Sequence, residues 1–368
     1  MNFSFKLPVE IISGHECIKK NSGRFALGRT AFIVTGKSGA RLSGALDDVL
    51  NALESLGITY EIFDSIQENP PLRDCYEGGM AAADAGADFV IGIGGGSAID
   101  AAKAIAAFAA NQQMSMDEIF IPAKRANPTL PIIAIPTTSG TGSEANSYSV
   151  LSLPDGVSKK TFMAADSWPT LAFLDPKYTY SLSKDQTMST ALDAFAHALE
   201  SYLSPKSTEI SGMLAIYAAS TIWNIIKDDP AEFTPQMHEK LLCASCAAGI
   251  AISVTGTGFP HPMGYSLTMI EGIPHGRACA IFDGDYINYN MKTLPGSERL
   301  KKFASLVGDN IEVIAARLPE LAGINITLTD AEIARHVELI CNAKNYTNCP
   351  YVISKDEMIE IYESHFKH

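Results

Sequence analysis

Two domains of different class are predicted for this 368-residue chain: an α/β domain with a mainly parallel sheet over residues 1–178, then an all-helical domain over 179–368. Three observations predict this. Up to Pro176, short apolar runs alternate with segments of helical period, the pattern of βαβ units. Beyond Pro176 the periodicity is helical almost throughout, with few convincing strands. The length also exceeds the roughly 250–300 residues at which a single hydrophobic core stops growing.

The elements follow in order. "RTAFIVTG" (29–36) reads as a buried strand, "SGALDDVLNALESLG" as an amphipathic helix and "YEIFDSI" as a second strand. "CYEGGMAAADAGA" reads as a helix, "DFVIGIGGG" as a strand ending in glycines, and "SAIDAAKAIAAFAAN" as another helix. "LPIIAIPTT" and "TLAFLDP" (170–176) complete the strands. In the second half, "SPKST", "KDDPAEFTP" and "FDGDYINYNMKTLPGSE" mark breaks between long helices.

Composition narrows the function classes. With 28 basic and 41 acidic residues the formal charge is −13, which argues against nucleic acid or an anionic membrane as a partner. No uninterrupted apolar run looks long enough to cross a bilayer, and "MNFSFKLPVEII" lacks the layout of a secretory leader, so a cytoplasmic location is expected. Seven scattered cysteines do not suggest a disulfide framework. "CASC" (243–246) lies in the Ala-rich segment "LLCASCAAGIAI", where small residues packing a helix are the better reading than redox chemistry.

Two loops point to a phosphate-bearing ligand. In "VIGIGGGSAIDAAKAIA", Gly94, Gly95, Gly96 and Ser97 link a strand to a helix, so the backbone can approach a ligand closely and the helix N-terminus offers N–H groups to an anion. Ser97 stands where the usual motif has its last glycine. "IPTTSGTGSEANSYS" (135–149) supplies the small donors Thr137, Thr138, Thr141, Ser143 and Asn146 after another strand. Two such loops at the C-terminal edge of one parallel sheet predict a Rossmann-like, dinucleotide-binding domain. The first strand ends "VTGKSGAR", with Gly36 where an acid would bind the adenosine ribose 2′-hydroxyl, and Lys37, Ser38 and Arg41 close by. That favours NADP(H) over NAD.

A second constellation lies in the helical half. "TALDAFAHALE" (190–200) is mostly apolar, yet Asp193, His197 and Glu200 follow at steps of four and three, on one helix face. Downstream, "GTGFPHPMGYSLTMIEGIPHGRA" carries His261 and His275. One carboxylate and three imidazoles, Asp193, His197, His261 and His275, make a donor set suited to Fe(II), with Zn(II) as the alternative. Glu200 reads as support for a neighbouring ligand or a helix end. His15, His238, His336, His365 and His368 fall in polar or terminal contexts and read as structural or surface residues.

"GGGSAIDAAKAIA", "PTTSGTGSE", "DAFAHALESYLS" and the spaced "HP…PHG" pair, in this order and over nearly the whole chain, resemble the iron-dependent (group III) alcohol dehydrogenases. The likeness is greatest to the NADP-using branch with 1,3-propanediol and butanol dehydrogenases. The resemblance implies the fold shared with dehydroquinate synthase: a Rossmann-like domain plus an all-α metal-binding domain. It implies Asp193, His197, His261 and His275 as metal ligands, Gly95, Gly96 and Ser97 as the pyrophosphate loop, and Thr137, Thr138 and Thr141 as a second cofactor loop. It further implies Asn69 beside the adenosine half, one of Lys159 and Lys160 (Lys160 favoured) near the nicotinamide ribose, and a homodimer or larger homo-oligomer. Gly36 departs from the aspartate of NAD-preferring members. Tyr265 stands where many members have a further histidine, leaving Tyr265, water or the cofactor ribose as the proton relay.

The expected activity is reversible hydride transfer between NADP(H) and a small alcohol or aldehyde, in a cleft between the domains. Glycerol-type polyol oxidation is the nearest alternative. A dehydroquinate synthase-like lyase would need basic residues for its substrate, whereas Phe195, Phe259 and Met263 surround the metal motifs and Arg277 is the main exception. A non-catalytic homologue would be expected to have lost a ligand or a loop glycine, and none is missing.

Overall fold

The computed structural model describes residues 3–367, so the reading of His368 lies outside the described residues. The chain divides into two units: Lys6–Ser183 with Thr234–Cys246, and Lys184–Phe233 with the chain from Ala247 onward.

The first unit runs β1 (Glu10–Ser13), α1 (Cys17–Lys20), β2 (Thr30–Gly36), α2 (Gly39–Leu42), α3 (Ala45–Ser55), β3 (Thr59–Ile66), α4 (Leu72–Asp84), β4 (Phe89–Gly94), α5 (Gly96–Ala110), β5 (Ile132–Pro136), β6 (Tyr148–Ser152), β7 (Lys159–Met163) and β8 (Leu171–Leu174). Six strands form a parallel sheet in the order β1-β8-β5-β4-β2-β3, and β6 and β7 form a separate antiparallel pair. The central strands are continuous apolar runs because both sheet faces are covered. On β2, Phe32 and Val34 enter one core with α4 and α5, while Ala31 and Ile33 enter the other with α3. Strand order reverses between β2 and β4, the neighbours at which the chain first turns back across the sheet. Ligands of open α/β sheets bind beyond the strand ends at such a switch point. Gly36 ends β2 and Gly94 ends β4, so both predicted cofactor segments belong to that edge.

The second unit is helical: α6 (Lys184–Leu203), α7 (Glu209–Ile226), α8 (Pro235–Thr255, whose first part to Cys246 is counted with the first unit), α9 (Pro260–Glu271), α10 (His275–Met291), α11 (Leu294–Val307), α12 (Ile311–Ala322), α13 (Asp330–Ile340) and α14 (Lys355–Phe366). Among the described residues it holds no strand. Two helices, α7 and α8, are long and apolar enough to cross a membrane, with a mean hydropathy of 1.2 over 18 residues. Of those stretches 44% and 67% are buried, and the core helix of a folded domain meets the same criterion.

Candidate functional site

In the α/β unit the glycine turn and the threonine loop meet. Gly95 caps α5 and Gly96 opens it, leaving the first N–H groups of the helix directed beyond the strand end. A Cβ on Gly96 would lie 2.5 Å from Thr141 Cγ2 and one on Gly95 3.2 Å from Thr138 Oγ1, so the two loops pack with no room for a side chain. Thr137 N–H donates to Gly94 C=O at 2.9 Å, tying the loops at their roots. Asn69, in the left-handed region at φ 54°, donates its N–H to Ser97 Oγ at 3.1 Å. Gly95, Gly96, Ser97, Thr137, Thr138, Thr141 and Asn69 thus form one cradle.

Strand alternation sends the two lysines to different partners. Lys159 Nζ donates to Asn69 Oδ1 at 2.7 Å, whereas Lys160, next along β7, places Nζ 4.3 Å from the centre of the Phe120 ring. Lys160 is therefore not brought to the cradle and Lys159 is. Beyond Gly36, Lys37 and Ser38 are exposed, and Arg41 pairs with Asp64 at 3.6 Å.

One residue beneath the cradle escapes sequence reasoning. Lys103 is fully buried on α5 and donates to Ser143 C=O at 2.7 Å, Ser143 Oγ at 2.6 Å, Asn146 Oδ1 at 3.3 Å and Tyr148 C=O at 2.6 Å. Burial pulls its ammonium down to about 8, against the attraction of Asp100 and Glu144. It fastens the threonine loop to the helix whose N-terminus shapes the cradle. Lys103→Met strands these acceptors and should destabilise the fold by about 3 kcal/mol. It should also weaken nucleotide binding at temperatures where the variant is folded. Urea unfolding and a nucleotide titration check both effects, and wild-type values in both would contradict the clamp.

In the helical unit, prolines start the helices that carry two of the predicted histidines. Pro260 opens α9, with His261 next, and Pro274 precedes His275, the first residue of α10. A Cβ on Gly276 would fall 1.8 Å from Ser189 C=O, so glycine is what lets the first turn of α10 lie against α6. Asp193 and His197 come from the middle of α6.

These four side chains converge. Asp193 Oδ1 lies 3.7 Å from His261 Nε2, 3.8 Å from His275 Nε2 and 3.9 Å from His197 Nε2. The His197 and His261 rings stack at 4.6 Å. Asp193, His197 and His261 are buried, and His275 keeps a quarter of its side chain exposed. Nitrogen and oxygen donors around a four-coordinate divalent ion stand about 3.4 Å apart, so the separations from Asp193 Oδ1 suit such an ion after slight closure. Glu200, fully buried, shares a hydrogen bond of 2.6 Å between Oε1 and His261 Nδ1 and accepts from Gly258 N–H. That bond directs Nε2 of His261 towards the other donors, the usual support of a metal-binding imidazole. Burial pushes the Glu200 carboxyl up, while His197 and the Gly258 N–H oppose the shift.

Tyr265 lies on His275 with ring centres 5.2 Å apart and planes at 22°. Two further residues were not anticipated. Cys279 and Asp283 continue the row from His275 in steps of four along α10. Ligand atoms of Asp193, His261, His275 and Cys279 all lie within 4.8 Å of one another. Asp283 is fully buried, and neither carboxyl oxygen has a hydrogen-bond partner among the described residues. Burial, with Glu200 and Asp193 adding repulsion, raises its pKa far above the usual range. The spacing of His275, Cys279 and Asp283 was the available signal.

Comparison with known proteins matches both halves of the chain. Residues 8–176 match the family "Iron-containing alcohol dehydrogenase", and residues 187–366 match "Fe-containing alcohol dehydrogenase family, C-terminal". An NADPH-dependent butanol dehydrogenase of Clostridium saccharobutylicum is 28% identical over 98% of this chain and 97% of its own. The crystal structure of an iron-containing alcohol dehydrogenase from Thermotoga maritima superposes with a TM-score of 0.92 at 34% identity, covering 100% of both chains. A sulfoacetaldehyde reductase from Bifidobacterium kashiwanohense, solved with NAD+, gives 0.87 at 28% identity, covering 100% of this chain and 99% of that one. With both halves matched in order, the chain belongs to the iron-containing alcohol dehydrogenase family, oxidoreductases of alcohols and aldehydes that use iron and NAD(P).

Proposed function

We propose that this enzyme interconverts small uncharged aldehydes and alcohols with NADP(H) in preference to NAD(H), using a divalent metal held by Asp193, His197, His261 and His275. The observation that carries the reading is the approach of three imidazole nitrogens to one carboxylate oxygen at 3.7–3.9 Å. When bound, the metal supplies Lewis-acid polarisation of a substrate oxygen, and the nicotinamide supplies or accepts the hydride.

The chain's own residues do the rest. Glu200 keeps the proton of His261 on Nδ1, so that Nε2 presents its lone pair. The stacked Tyr265 fixes the plane of His275 and puts a phenol beside the donor set, as a candidate for moving the alcohol proton. The N-terminus of α5 with Gly95, Gly96 and Ser97 receives the pyrophosphate, and Thr137, Thr138 and Thr141 line the same cradle. Lys159, bonded to Asn69, replaces Lys160 as the ammonium directed at the cofactor. Apolar Phe259 and Met263, both buried close to His261 in sequence, favour an uncharged substrate.

Preference for NADP(H) is supported by Gly36 at the end of β2 and by exposed Lys37 and Ser38 after it, which leave a 2′-phosphate without an opposing carboxylate. The Clostridium relative is named for NADPH dependence, while the Bifidobacterium structure holds NAD+. The local residues therefore carry the choice. Steady-state rates under Fe(II) without oxygen, with butanal, 3-hydroxypropanal and lactaldehyde, test the reading. A higher kcat/KM for NADPH than for NADH is expected. Equal values or a preference for NADH contradict the cofactor assignment.

A further inference from the structure

We propose that Thr268 is a positioning residue of the metal centre: its hydroxyl accepts the Nδ1 proton of His275 and so aims Nε2 of that ring at the other donors. The inference rests on the metal assignment above and concerns how one of its ligands is held. One face of α9 carries His261, Tyr265 and Thr268 at steps of four and three. All three meet His275, the first residue of α10. The His261 ring is edge-on to it with centres 5.6 Å apart, and the Tyr265 ring stacks on it at 5.2 Å. Thr268 Oγ1 lies 3.4 Å from its Nδ1.

The rest of the site sets the direction of that bond. Nε2 of His275 lies 3.8 Å from Asp193 Oδ1, on the side where the donors converge. A ring that gives Nε2 to a cation keeps its proton on Nδ1, and that N–H is normally held by an acceptor. Thr268 Oγ1 has its lone pairs available, because its own proton goes to Gly264 C=O at 2.9 Å, one turn back along α9. Cys279 Sγ stands 3.8 Å from the same nitrogen and is the weaker acceptor. The two histidines that begin α9 and α10 are thus supported differently. His261 has a buried carboxyl at 2.6 Å, whereas His275, a quarter exposed, has a neutral hydroxyl at 3.4 Å. A charged acceptor makes the stronger bond and the more basic ring. His275 is therefore the ligand held by the weaker contact, and the affinity of the centre should respond to that contact.

Two substitutions separate the hydroxyl from the space it fills. Thr268→Val keeps the shape and removes the acceptor, while Thr268→Ser keeps the acceptor and removes a methyl group. Chelator-stripped wild type and both variants are titrated with Zn(II) against a competing chromophoric chelator, at a temperature where circular dichroism shows each metal-free protein folded. Thr268→Val should bind Zn(II) about 10-fold more weakly than the wild type. Thr268→Ser should retain wild-type affinity. Wild-type affinity in Thr268→Val overturns the inference and leaves the metal centre standing. Equal weakening in both variants assigns the effect to the methyl group and overturns it as well. No zinc bound by the wild type removes the metal centre, and the inference with it. Should Thr268→Val fail to fold, Thr268→Ala takes its place, with the same expected loss and the same comparison against Thr268→Ser.

Discussion

His261→Ala should abolish metal binding and, with it, turnover. The substitution removes Nε2 from the donor set and deprives Glu200 Oε1 of its partner at 2.6 Å, leaving a fully buried carboxyl with the Gly258 N–H alone. Lewis-acid stabilisation is worth several kcal/mol, so kcat/KM should fall by about 10³-fold or more. Metal content measured after dialysis should fall in parallel. Nucleotide affinity should be nearly unchanged, because Gly95, Gly96, Ser97 and the threonine loop belong to the other unit. A variant with full turnover would remove His261 from the site.

Gly36→Asp should move cofactor preference from NADPH towards NADH by about 10²-fold. A carboxylate at the end of β2 would face the 2′-phosphate, and two like unit charges about 4 Å apart repel by roughly 4 kcal/mol at an effective dielectric of 20. Exposed Lys37 and Ser38 imply water nearby, and screening reduces that figure. The new Cβ would stand 3.3 Å from Ile66 C=O, a tight fit that costs some stability. That cost falls on both cofactors alike, so the ratio of kcat/KM values remains a clean readout. An unchanged ratio would put the adenosine end elsewhere.

The strands that cross both cores were legible because burial on two faces writes them as unbroken apolar runs: β2, β4, β5 and β8. Strand β1 was missed, being four residues, EIIS, at the sheet edge. The pair β6 and β7 was missed because it lies outside the main sheet and β7 reads KKTFM, mostly polar or exposed. That omission explains the lysine register. Without β7 there is no alternation to separate Lys159, bonded to Asn69, from Lys160 over Phe120.

The residues predicted as metal donors were legible because their types and spacing are unusual in an apolar helix. Asp193 and His197 share a turn, and proline marks the helix starts at His261 and His275. The supporting layer was less so. Glu200 could be placed on the correct face, but only the fold brings it to Nδ1 of His261. Nothing in the sequence singles out Cys279 or Lys103. Each acquires meaning from partners distant in the chain, as Lys103 does from Ser143, Asn146 and Tyr148.

The most direct measurement is anaerobic oxidation of NADPH by a short aldehyde, followed on one preparation as purified, after a strong chelator, and after adding back Fe(II). Turnover should vanish with the chelator and return with stoichiometric metal, while NADPH binding persists throughout. Turnover that survives complete removal of metal would contradict a role for Asp193, His197, His261 and His275 as the ligands of a catalytic metal.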